Sequence, residues 1–164
     1  MNISRQIAGY LKSRELVLAS LETGTAGAIT AALADLPGAA TSLDIGVVAH
    51  TPRALAGYLG TDAPNEAVSE TLARALAEAL LKEREGRANV VLASIGWLEP
   101  EDGGRAAIAH YFAWAGWDRD AVVSSSETVL FSGRRVDIRR SIARRALLGL
   151  PRFVDSIPAR ERAD

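Results

Sequence analysis

Ile3, Ile7, Tyr10 and Leu11 fall at i, i+4, i+7 and i+8, the spacing of a single helical face, so the first dozen residues are predicted to form an amphipathic helix. The pattern then changes to a short apolar run, Leu16 to Ser20, of the kind a buried strand makes. Alanine-rich residues from Thr25 to Leu36 give a second helix, stopped by Pro37-Gly38. Ile45, Val47 and Ala49 alternate with Gly46, Val48 and His50, which predicts a strand ending at His50. Thr51-Pro52 opens a short helix to about Leu59, with Gly60 as its stop. Ser69 is a natural N-cap, and Val68, Leu72, Leu76, Ala79 and Leu80 form one stripe down to Lys82, predicting the longest helix. Strands are expected over Asn89–Ile95, Ala106–Ala115 and Ala121–Phe131, followed by a helix from Arg135 to Gly149. The tail from Pro151 to Asp164 is expected to fray.

Strands that alternate with helices and then follow one another directly predict an α/β fold, three layers of α/β/α around a mixed sheet. A length of 164 residues suits one such domain, placed at 1–150. Hydrophobic residues make up 48% and charged residues 24%, a globular balance, and no apolar run reaches the length of a membrane span. The first fifteen residues scatter their charges and lack a secretory pattern, so a cytoplasmic location is expected. A net charge of −1 gives no basic surplus for nucleic acid. With no cysteine there is neither a thiol nucleophile nor a zinc-thiolate site, and no cofactor is expected. The abundance of alanine, three tryptophans and the arginine-rich last helix predict apolar surface beyond one core, hence a homodimer or higher homo-oligomer.

The candidate chemistry sits in Leu16 to Gly27, LVLASLETGTAG, read as strand, tight loop and helix start. Gly24 and Gly27 allow positive φ or close backbone approach, and Thr23 and Thr25 place hydroxyls in the same turn. A helix starting near Thr25 would aim free N–H groups at a phosphate or carboxylate, with Glu22 beside them. The spacing fits equally an ordinary connection with a threonine cap, since it matches neither a Walker A loop nor a GxGxxG fingerprint. The acidic stretch Glu99, Glu101 and Asp102 reads as a solvated loop or a weak cation site. Trp97 is the best candidate to stack on a base, while His110, inside a strand pattern, reads as structural. The arginines of the last helix read as a solvated or subunit-contacting face that could also hold phosphates.

Several segments in chain order resemble the CinA C-terminal domain family, whose active members are nicotinamide mononucleotide deamidases. The family's A-E-S-C-T-G-G turn resembles Leu21 to Gly27, and its L-T-D-x-P-G resembles Leu33 to Gly38. G-V-V-A-Y-S-N-E-A-K is matched by Gly46 to Leu55, G-A-V-S-E by Glu66 to Glu70, and F-S-G-D-R-x-x-I-R by Phe131 to Arg139. The likeness spans roughly residues 3 to 150. It implies that Thr23 stands at the nucleophilic serine, Gly24 at the neighbouring cysteine, His50 at the tyrosine and Leu55 at the lysine. Arg53 takes the place of a glutamate. The (T/S)-G-I-A-G-P-x-G-G loop corresponds to Ser94 to Gly104, lengthened by about two residues and made acidic.

Two functions follow from that resemblance. In one, Thr23 attacks an amide carbon and His50 shuttles the proton, while Glu22, Gly24, Thr25, Gly27, Arg53 and Ser94 bind the ligand. In the other, favoured because Leu55 cannot act as a base, the domain has lost or retuned this chemistry and serves as a nucleotide-binding or oligomerising module. Either way the expected partner is a small nucleotide or amide, not nucleic acid or a membrane.

Overall fold

A computed structural model describes residues 2–60, 68–98 and 107–158. Its strands are β1 (Leu18–Glu22), β2 (Leu43–Val48), β3 (Val90–Ile95), β4 (Ile108–Asp118) and β5 (Ala121–Phe131), and its helices α1 (Ile3–Ser13), α2 (Ala28–Ala34), α3 (Pro52–Leu55), α4 (Glu70–Glu83) and α5 (Arg135–Asp155). One sheet runs in the order β2-β1-β3-β4-β5. β1 is parallel to β2 and β3, whereas β4 and β5 are antiparallel. The mixed α/β fold is therefore as expected.

Strand alternation sorts the core into two halves. Leu18, Leu92, Phe112 and Trp114 pack with Leu11, Ile29 and Ile142 from α1, α2 and α5. Ala19, Leu21, Ala93 and Ala113 pack on the opposite face with Leu76 and Leu80 of α4. Small sheet residues thus meet leucines on one side, while aromatic residues fill the other. From β1 the chain crosses by α2 to β2, then returns by α3 and α4 to β3 on the far side of β1. That reversal puts a topological switch point beyond the carboxyl ends of β1 and β3.

Several boundaries differ from expectation. β1 lies two residues later than its apolar run suggests, so Glu22 ends the strand. α2 begins at Ala28, after Ala26 and Gly27 both take positive φ (55° and 94°), because the intervening turn is organised by side chains rather than by helix. α5 passes through Pro151 to Asp155 with 21 residues, and so exceeds α4 as the longest helix. The fraying expected from Pro151 does not hold over the described part of the tail, because Phe153, Val154 and Ile157 are 5%, 1% and 4% exposed. At ~1.5–3 kcal/mol per buried large side chain, their burial outweighs the ~3 kcal/mol of a helical proline. Tyr10 also ties the end of α5 down, its hydroxyl donating to Asp155 Oδ1 at 2.6 Å. β4 begins at Ile108 and extends to Asp118, past the expected end at Ala115, while Ala106 lies outside the described residues. Of the proposed tail, residues beyond 158 lie outside the described residues.

α5 sits against the sheet through Gly149, where an added Cβ would overlap the Trp114 ring. Trp114 cannot swing away freely, since its Nε1–H donates to the Ala146 carbonyl at 3.1 Å. Gly149→Ala should therefore cost about 1–3 kcal/mol of stability. A urea titration with a lowered midpoint and unchanged slope is the expected result, and an unmoved midpoint would show that the contact is slack.

Candidate functional site

Because alternate residues share a face, Ser20, Glu22, Ser94 and His110 all lie on the side of the sheet that carries Leu18, Leu92 and Phe112. All four are buried polar groups, as are Thr23 and Thr25 in the following turn. They gather at the carboxyl ends of β1 and β3. Buried polar groups must find partners inside the protein, and here nearly all do.

Glu22 is 0% exposed. Its Oε1 accepts from Thr25 Oγ1 at 2.6 Å, Gly27 N at 2.9 Å and Ile29 N at 3.2 Å, and its Oε2 from Thr30 N at 3.2 Å and Thr30 Oγ1 at 3.1 Å. The Thr30 hydroxyl spends its hydrogen there, so Ser20 Oγ, 2.9 Å away, donates to Thr30. The first turn of α2 is thus capped by a carboxyl group five residues or more upstream, in place of a threonine cap. Two further turn amides bond to backbone carbonyls, Ala26 N to Thr23 O and Ala28 N to Thr25 O. The expectation that amides at the start of α2 stand free for a phosphate or oxyanion is corrected for Gly27, Ile29 and Thr30, whose N–H groups are taken by the Glu22 carboxyl group. Close approach of α2 to β2 depends on Gly46, where a Cβ would lie 2.6 Å from Thr30 Oγ1.

Thr23 is 1% exposed, and its hydroxyl joins the turn to the loop after β3. Oγ1 donates to Gly96 O at 2.6 Å and accepts from Gly96 N at 2.8 Å. Two backbone bonds run alongside, Thr23 N to Ser94 O at 3.0 Å and Gly24 N to Gly96 O at 3.2 Å. A Cβ on Gly24 would come 3.0 Å from Gly96 O and 3.3 Å from Leu98 Cγ, so the absence of a side chain there lets the loops meet. From α5, Arg139 Nε donates to Gly24 O at 3.1 Å. Four hydrogen bonds therefore join the turn after β1 to the loop after β3, and a fifth ties the turn to α5.

The other predicted residues are spread around this junction. His50 is exposed just beyond β2, following Ala49, whose N–H donates to Glu22 O at 3.1 Å. Arg53 is exposed in α3, whose N-cap is Thr51, and Leu55, at the family's lysine position, is 2% exposed. Trp97 packs against the α4-side core. Among the described residues no group of three or more His, Asp or Glu could hold a metal ion, and no helix is long and apolar enough to cross a membrane. Glu99, Glu101 and Asp102 lie outside the described residues.

Sequence reasoning missed the partnership of Ser94 with His110. The Ser94 hydroxyl lies 2.7 Å from His110 Nε2, and both residues are 0% exposed. Ser94 is directly opposite Phe112 in the antiparallel register, which makes His110 its diagonal neighbour. Only strand register reveals that contact. Phe112 and Phe131 surround the ring at centroid distances of 5.0 and 6.3 Å, and Nδ1 has no partner. Burial in this apolar setting pushes the His110 pKa down to about 3.

Similarity to known proteins accords with this architecture. Residues 1–154 match the model of the CinA C-terminal domain. The chain belongs to that family. It is 30% identical over 155 residues to a CinA-like protein of Akkermansia muciniphila, covering 91% of this chain and 36% of that protein. A putative competence-damage inducible protein of Lacticaseibacillus casei is 26% identical over 143 residues, covering 85% of this chain and 34% of the relative. The chain thus spans about a third of the length of these curated CinA relatives. Among solved structures, a competence or damage-inducible protein from Enterobacter asburiae superposes with a TM-score of 0.77 at 27% identity, covering 92% of this chain and 95% of that one. The competence damage-inducible protein A of Klebsiella pneumoniae gives 0.78 at 25%, covering 94% and 96%.

Glu22→Gln keeps the shape but turns an NH₂ group toward donors that need an acceptor. At ~1–3 kcal/mol per buried group left unsatisfied, it should destabilise the domain by about 2–4 kcal/mol, read from chemical denaturation. The His110 pKa falls on folding from 6.5 to about 3, so between these values the unfolded chain binds a proton that the native ring refuses. Its contribution is complete above pH 6.5 and is lost as pH falls toward 3, by up to ~5 kcal/mol. Stability measured against pH in wild type and His110→Gln should diverge in that window; parallel curves would refute the assignment.

Proposed function

We propose that this CinA-family domain retains the ligand-loop scaffold but not amide hydrolysis, and works as a non-catalytic small-molecule binding module. The observation that carries this reading is the Thr23 hydroxyl, which both donates to and accepts from Gly96 and is 1% exposed. A nucleophile needs a neighbouring base and an open path to the carbonyl carbon. Among the described residues Thr23 has no base as a hydrogen-bond partner: its hydrogen is committed to the Gly96 carbonyl, and the position matched to the family's lysine holds Leu55 within the apolar core. The His50 imidazole is exposed to solvent, whereas Thr23 is buried. Large apolar residues left exposed, Leu130, Val136 and Leu148, give such a module surface for self-association as a homodimer.

Incubation of the purified protein with nicotinamide mononucleotide, followed by enzymatic detection of ammonia, should give no release above the protein-free rate. Thr23→Ser with Leu55→Lys and His50→Tyr should remain inactive, because the lengthened loop and the hydrogen bonds to Gly96 stay in place. Wild-type turnover in the ordinary enzyme range of ~1 s⁻¹ or more, lost in Thr23→Ala, would instead establish an amidohydrolase.

A further inference from the structure

A cavity of about 560 Å³ lies where α1, α2 and α5 meet, and its lining joins apolar and cationic groups with no carboxylate among the described residues. That volume falls in the range of small-molecule sites. Ile3, Ala28, Ala32, Ala143 and Leu147 supply the apolar surface, and Arg139, Arg140 and Arg144 the charge.

The arginines of α5 divide into two groups. Arg145 and Arg152 pair with Glu127 at 2.8 and 3.2 Å, Arg134 pairs with Asp137 at 3.0 Å, and Arg139 reaches Gly24 O. Arg140 and Arg144 have no hydrogen-bond or ion-pair partner among the described residues, yet both line the cavity. They stand at i and i+4, adjacent on the helix surface, where like charges repel by ~0.2–0.5 kcal/mol. A helix that satisfies its other guanidinium groups, and leaves two uncompensated beside an apolar hollow, is arranged for an anion that arrives with an apolar body attached.

We infer that this groove binds a small anionic amphiphile: a carboxylate or phosphate monoester seated between Arg140 and Arg144, with its hydrocarbon or ring portion against Ala32, Ala143 and Leu147. Guanidinium forks serve either anion in a bidentate manner, so the two heads share one chemistry. The assignment stands whether or not the domain hydrolyses amides, because it uses neither Thr23 nor His50.

The probes are octyl phosphate and octanoate, kept below micelle-forming concentrations, with inorganic phosphate, octanol and phosphatidylglycerol vesicles as comparisons, all read by titration calorimetry and thermal shift on the full chain. At least one of the two anionic amphiphiles should bind saturably, more weakly at high salt, and better than octanol or inorganic phosphate. The pair Arg140→Gln and Arg144→Gln should weaken that binding roughly tenfold or more, since charge-assisted hydrogen bonds are removed, without lowering the thermal midpoint of the free protein. Ala143→Leu, which fills the apolar side, should weaken octyl phosphate or octanoate but not inorganic phosphate. The inference is overturned if neither amphiphile binds, if binding survives the arginine changes, or if vesicles bind where the soluble probes do not. It is equally overturned if the arginine changes dissociate a dimer, because the groove would then be an interface between two copies.

Discussion

A carboxyl group removed from water has to be solvated by the protein, and the five hydrogen bonds converging on Glu22 organise the domain around that need. They start α2, set the positive φ of Ala26 and Gly27, and hold Thr30 against Ser20 and Gly46. Loss of this acceptor would leave several buried donors with nothing to bond. The turn between β1 and α2 is thus held by internal hydrogen bonds, although its residue types are those from which ligand loops are made.

A second set of bonds follows from the first. With the turn fixed, Thr23 and Gly24 face the strand end of β3, and bonds to Ser94 and Gly96 join the two loops. Beside them, Ser94 and His110 form a polar pair inside an aromatic setting, with His110 Nδ1 lacking a partner among the described residues. A hydroxyl beside an imidazole at 2.7 Å resembles a nucleophile and base in isolation. Both residues are completely buried, and their apolar surroundings hold the ring neutral. Chemistry in the family therefore cannot be transferred on residue type alone; Thr23 keeps a hydroxyl at the serine position, but hydrogen bonding decides whether that hydroxyl is available.

Charge is distributed by the same logic of satisfaction. The α4 face binds β5 through Glu70, which accepts from Ser126 and Thr128 at 2.7 and 2.6 Å, and those hydroxyls hold its carboxyl below the ordinary value. Glu127 on the other face takes Arg145 and Arg152. On α5, where Arg145 and Arg152 are paired with Glu127, Arg140 and Arg144 have no hydrogen-bond or ion-pair partner among the described residues and line the cavity against α1 and α2.

The sequence by itself determined the element types, the mixed α/β class and the family, because periodicity and turn residues are local: Ser69 does cap α4, accepting from Leu72 N at 3.1 Å, and β5 has the expected limits. The family resemblance also grouped Glu22, Thr23 and Ser94 with His50 and Arg53 around one ligand. Tertiary structure alone decided what those residues do. Whether the amides of α2 face a ligand or Glu22 depends on a side chain folding over its own turn. Whether Ser94 meets His110 depends on the register of β3 against β4. Whether α5 stops at Pro151 depends on the apolar space waiting for Phe153, Val154 and Ile157, and nothing within the helix itself encodes that space.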